Sequence, residues 1–198
     1  QGDWSSDVCS SDLRYVDRET GNVFDIDPSV LTESRLTNAT IVGVHEAFFD
    51  VTGNNILIRY LSSEDDVIKT FAGTVPDTQN TSSGSVGTEL PFLGDFLPDD
   101  IPFLSISPDK TSVFYFTFGN NFARGNISDF SGNKHSELFL SSFSEWIPQW
   151  ASDEVISLTT KASFFAGGFV YWADTESGEF TRKLGPVTGL TSNTNPSN

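Results

Sequence analysis

The chain has 198 residues, enough for one sizeable domain with a substantial core. Hydrophobic residues make up 37%, including 18 Phe, which excludes a disordered composition, and the richness in Phe, Val, Ile, Thr, Ser and Gly favours strands and turns over helices. With 11 Lys and Arg against 27 Asp and Glu the net charge is −16, a field that repels polyanions, so nucleic acid is not an expected partner.

Residues 3–13, Asp-Trp-Ser-Ser-Asp-Val-Cys-Ser-Ser-Asp-Leu, show neither strand alternation nor helical period. The string resembles the in-frame translation of a short-read sequencing adapter, and residues 1–13 are set aside as a non-native segment. Cys9, the only cysteine, leaves with it, so no disulfide, thiol catalyst or cysteine metal site is expected. Asp3, Asp7 and Asp12 leave too, taking the net charge from −16 to −13. The sequence holds no Met, so its natural start is expected to lie elsewhere. No apolar run approaches the roughly 20 residues of a membrane-spanning helix, and no span is expected.

Three hairpins with one design follow in chain order. Residues 13–17 form a short β run, residues 18–21 a turn ending in Gly21, and residues 22–26 a second strand. Residues 126–130, a turn at Ser131-Gly132-Asn133 and residues 136–140 repeat that pattern. Residues 169–173, a turn over 174–178 and residues 179–184 repeat it again. Each carries an aspartate near the end of its first strand and a turn glycine, which supplies the positive φ that a tight turn needs.

A second unit recurs between them. An apolar or aromatic-rich strand, a polar turn and a β-branched strand occupy residues 46–56, 103–113 and 145–155, ten residues from first to last in each case. Ile56, Val113 and Val155 are 57 and 42 residues apart. A blade of four short strands takes about 40–50 residues, and a Thr-, Ser- and Gly-rich insertion near residues 76–96 accounts for the longer interval. An ordinary β-sandwich is the alternative, with Trp150 in an intersheet core.

Ser107-Pro108-Asp109-Lys110 resembles the Ser-Pro-Asp-Gly turn between the first two strands of blades in TolB-type and related WD-repeat-like β-propellers. The turns at Asp129-Phe130-Ser131-Gly132 and Asp174-Thr175-Glu176-Ser177-Gly178 are similar to that family's turn between the third and fourth strands. The sequence departs from the family at Lys110, where Gly is usual, and at residues 50–55, which lack Pro-Asp. The resemblance implies an all-β fold, a partial, open β-propeller of about three and a half four-stranded antiparallel blades. The expected division is a half blade over 14–36, blades over 37–76, 98–140 and 141–192, a loop insertion over 77–97 and a polar tail over 193–198.

In such a fold, the resemblance implies that ligands meet the face where first strands begin and second strands end. His45, Glu46, Arg59, Tyr60, Glu145, Trp146 and Lys161 are the binding candidates there. His45 beside Glu46 has the chemistry of an acid–base or metal pair, yet the only other histidine is His135, so a multi-histidine site is not expected. Glu46 and Glu145 would be a carboxylate pair if they converged. Trp146, Trp150 and Trp172 suit either sugar stacking or interblade packing. Arg59 and Lys161 suit anion binding or simple ion pairs. No nucleophile elbow, phosphate loop or dinucleotide fingerprint occurs, and Asn38, Asn80 and Asn126 head glycosylation-type triplets.

These observations favour a non-enzymatic binding or scaffolding protein, with a protein or peptide ligand, no cofactor and a cell-envelope setting. The rival is the propeller portion of a hydrolase or lyase acting on peptides or glycans, with its catalytic residues elsewhere.

Overall fold

The computed structural model describes residues 13–38, 41–76, 93–119, 121–161 and 166–190. Apart from Leu13, the segment set aside above lies outside these residues, as do Asn80 and the tail 193–198. The described residues form fifteen strands in four sheets, and every pairing is antiparallel.

The first sheet holds β1 (Leu13–Val16), β2 (Val23–Asp27) and β3 (Thr32–Arg35). The second holds β4 (Val44–Phe49), β5 (Asn55–Leu61), β6 (Ile68–Thr74) and β7 (Leu93–Phe96). The third holds β8 (Leu104–Ile106), β9 (Ser112–Phe118), β10 (Ala123–Asp129) and β11 (His135–Ser141). The fourth holds β12 (Trp146–Ser152), β13 (Val155–Thr160), β14 (Gly168–Asp174) and β15 (Phe180–Val187). Each sheet is a meander in chain order. The three ten-residue registers fall on one hairpin, that between the first and second strands of the second, third and fourth sheets.

Two details differ from the sequence reading. The segment read as a loop over 77–97 ends in β7, which pairs with β6 from Phe71↔Phe96 to Thr74↔Leu93. The first sheet has three strands rather than a half blade's two, because β3 pairs outside β2 through Phe24↔Arg35 and Asp27↔Thr32. Both overlooked strands are exposed at every position. An outermost strand with neither face buried has no apolar alternation to read.

The second strands β5 and β9 are the opposite case, buried on both sides. In β5, Ile56 and Ile58 join Val23, Leu36 and Phe71 between the first two sheets, while Leu57 faces the third sheet beside Val113, Tyr115 and Phe130. In β9, Val113 and Tyr115 face back, and Phe114 and Phe116 face forward onto Trp146, Trp150, Ile156 and Leu158. Three apolar seams thus hold four sheets in series. Full burial of each such side chain stabilises by about 1.5–3 kcal/mol. Trp150 adds a polar tie, its backbone N–H donating to Ser105 Oγ at 2.7 Å, from β12 to β8.

Candidate functional site

All seven candidate residues stand at the end of the sheets where first strands begin and second strands end. His45 and Glu46 open β4, Arg59 and Tyr60 close β5, Glu145 and Trp146 open β12, and Lys161 follows β13. They divide into two groups around separate cavities.

The first group surrounds a cavity of about 210 Å3 shared with Leu61, Ile68 and Pro102. A β-bulge shifts the register between Val44↔Tyr60 and Glu46↔Arg59, leaving His45 without an opposite residue and exposed. Arg59 is 8% exposed and ion-paired with Glu46, and its guanidinium also donates to the carbonyls of Ile101 and Pro102. Those carbonyls belong to the connection between β7 and β8. Arg59 therefore ties the second sheet to the chain that enters the third, and its charge is committed within the protein. Burial pushes the Tyr60 phenol above its ordinary value; Lys69 opposes that shift, and Asp65, Asp99 and Glu64 reinforce it.

The second group lies on a cavity of about 610 Å3. Trp146, buried, forms its floor, and its indole Nε1 donates to Ser141 Oγ at 3.1 Å. The same hydroxyl oxygen accepts the Phe143 amide at 3.1 Å, which fixes the loop from β11 to β12. Phe143 stands edge-on to Trp146 with ring centroids 5.1 Å apart, and Tyr171 meets the indole at 5.6 Å and 88°. Phe169, two residues before Tyr171 on β14, extends the wall, with its amide held by Thr160 Oγ1 at 2.8 Å. Glu145 and Lys161, both exposed, complete the lining, joined through the backbone where Lys161 N–H donates to the Glu145 carbonyl at 3.2 Å. This is an aromatic cleft with one carboxylate and one ammonium, a composition that suits an apolar group carried on a polar chain.

The remaining candidate residues take the following places. Glu46 and Glu145 line different cavities on sheets separated by the third, and Glu46 is bound to Arg59, so the two do not act as a pair. Trp146 and Trp150 are core residues of the third seam, while Trp172 is 43% exposed beneath Lys183, whose ammonium lies 4.4 Å from the ring centre. Asn126 is buried, its amide donating to Thr117 Oγ1 and the Arg124 carbonyl, each at 3.0 Å, which takes it out of reach of glycosylation. Among the described residues no group of three or more His, Cys, Asp or Glu is placed to hold a metal ion. Phe143, Phe169, Tyr171 and Phe180 were not singled out from the sequence. The i, i+2 spacing of Phe169 and Tyr171 on one strand is the signal that puts them on one face.

No protein-family model and no curated protein sequence matches the chain. Solved structures do. The β-propeller domain of the Trilobed protease from Pyrococcus furiosus, described as having an open velcro topology, matches with a TM-score of 0.52 at 13% identity, over 87% of this chain and 52% of that one. The fold is a partial, open β-propeller. TolB from Acinetobacter baumannii matches at a TM-score of 0.46 and 11% identity, over 86% of this chain and 40% of that one. A putative TolB from Agrobacterium tumefaciens matches at 0.47 and 12%, over 86% and 61%. The chain spans about half the length of these structures. Its four sheets are blades one to four, and the candidate residues stand at the blade end formed by the loops between blades and between second and third strands.

Proposed function

We propose that this propeller is a non-enzymatic binding module that takes a peptide or protein segment into the aromatic cleft of its fourth blade. The observation that supports this most is the meeting of Phe143, Trp146, Phe169 and Tyr171 around one cavity with Glu145 and Lys161. An aromatic or aliphatic side chain of the ligand seats against the rings, and the two opposite charges pair with groups flanking it. Panning a random dodecapeptide library on the chain tests this. Enriched peptides should share an aromatic or large aliphatic residue and bind Phe143→Ala about tenfold more weakly, roughly 1.4 kcal/mol. Peptides that bind Phe143→Ala and Lys161→Ala as tightly as the parent chain would place the ligand elsewhere.

A second reading rests on the likeness to a protease's propeller domain: the chain is the propeller portion of a peptide hydrolase, and the cleft meets substrate on its way to a catalytic domain. Long-read sequencing of the parent gene separates the two, because a neighbouring hydrolase domain would move the function to the enzyme.

A further inference from the structure

A cavity of about 750 Å3 at this blade end, larger than the two already described, belongs to the second blade and contains none of the aromatic cleft's residues. Its walls are the chain leading into β4, the β5–β6 hairpin, and β7 with the turn after it. Three large apolar side chains lie open on it: Val42, Leu61 and Phe96 are 65%, 55% and 51% exposed. Phe96 is fixed from behind by an edge-on contact with Phe71, centroids 5.4 Å apart, so its outer edge is a formed surface. Around these stand Glu64, Asp65 and Asp99, and a single cation, Lys69, which bridges Asp65 at 3.1 Å and Asp99 at 2.8 Å. With one ammonium against three carboxylates, the rim keeps negative charge next to uncovered apolar surface. The half-buried Tyr60 phenol lines the same groove, where burial raises it, Lys69 opposes that shift and all three carboxylates reinforce it.

A neutral apolar partner would desolvate three carboxylates that share the one ammonium of Lys69, and an acidic one would be repelled. A basic segment with interspersed apolar residues satisfies both parts of the surface, and the excess of acidic over basic residues draws it to the protein. We propose that the second-blade groove is a docking site for a basic, apolar-bearing polypeptide segment of a partner protein. Apolar side chains of the segment cover Val42, Leu61 and Phe96, and its Lys or Arg residues pair with Glu64 and the outer oxygens of Asp65 and Asp99. This site is independent of the aromatic cleft.

The test uses two fluorescein-labelled probes of equal length and charge, one alternating Lys with Leu and one alternating Lys with Ser, titrated into the full chain by fluorescence anisotropy. The Lys-Leu probe should bind at one equivalent and about tenfold more tightly than the Lys-Ser probe. The double change Leu61→Ser with Phe96→Ser, both exposed, should abolish that difference while circular dichroism stays unchanged. Glu64→Lys should weaken the Lys-Leu probe about tenfold, whereas Glu176→Lys, in the β14–β15 turn at the opposite blade end, should leave it within about twofold. Equal losses from Glu64→Lys and Glu176→Lys would reduce the effect to the overall field and overturn the proposal. Weakening by Phe143→Ala would overturn it too, by placing the probe in the aromatic cleft.

Discussion

Seven turns among the described residues share a conformational requirement at one residue. Gly53, Lys110 and Gly132 donate their amides three residues back to Asp50, Ser107 and Asp129, and Gly21, Leu31, Asp66 and Gly178 donate four back to Asp17, Asp27, Ser62 and Asp174. All seven have φ between 54° and 74°, the left-handed region. Four are glycines and Asp66 tolerates the region, but Lys110 and Leu31 hold it at a steric cost. Lys110 is the position where the resembled Ser-Pro-Asp-Gly turn has glycine, and here it holds a φ of 56°. Lys110→Gly and Leu31→Gly should each raise stability by about 0.5–1 kcal/mol, read as a higher urea midpoint with unchanged slope. Gly178→Ala should do the reverse, because its Cβ would lie 2.2 Å from the Leu138 carbonyl oxygen of the neighbouring blade.

Arg59 shows how far a residue's role can be read from sequence. The repeat puts it at the end of a second strand, but the two carbonyls it binds are 42 and 43 residues away and carry no motif. Substitution by Met keeps the packed stem and removes the donors, leaving Glu46 and two carbonyls without them. Arg59→Met should cost about 2 kcal/mol in urea unfolding, and Arg59→Lys should recover only part, because an ammonium cannot span Glu46 and the Ile101 carbonyl as the planar guanidinium does.

At the scale of the element, three hairpins were legible where an aspartate and a turn glycine occur together, and aspartates organise other turns as well. The Thr20 hydroxyl and Glu19 amide hold Asp17 below the ordinary carboxylate value, and the Ser29 hydroxyl and amide do the same for Asp27. The Ser107 and Thr111 hydroxyls lower Asp109, and the Ser177 amide and hydroxyl lower Asp174. At Asp50 partial burial pushes the other way, but donors from Asn55 and Thr52 more than offset it. A folded value below the unfolded one, 3.8, means that the native state resists protonation more than the unfolded chain. The stabilisation is therefore complete above the unfolded value and is lost as pH falls through the folded one. In paired urea titrations, Asp109→Asn should be less stable than the parent chain at pH 6, and the gap should narrow steadily below about pH 4. A gap that stays constant to pH 2.5 would show that the carboxylate's charge contributes nothing. β3 escaped the sequence reading although Asp27 organises the turn before it, and β7 escaped it too: both strands are short, outermost and exposed throughout. Sequence patterns report burial, so the elements that bury least are the ones they miss.

For the whole molecule, the repeat was legible because the second strands β5 and β9 are apolar on both faces, and the aromatic cleft was only partly so because its aromatic lining comes from the loop after β11 and from β12, β14 and β15. The same architecture governs stability. Each blade contacts its neighbours through one seam, with Phe114 and Phe116 in the seam between blades three and four and Ile56 and Ile58 in that between blades one and two. A chain whose stability is a series of nearest-neighbour interfaces responds locally to damage. Phe114→Ala removes a fully buried ring and should cost about 3–5 kcal/mol. Native-state hydrogen exchange should show β13 and β14 losing most of their protection while β2 and β5 keep theirs. Ile58→Ala should give the mirror pattern. If either change lowers protection equally in all four blades, the blades unfold as one unit, and coupling across the seams exceeds the stability of any single blade.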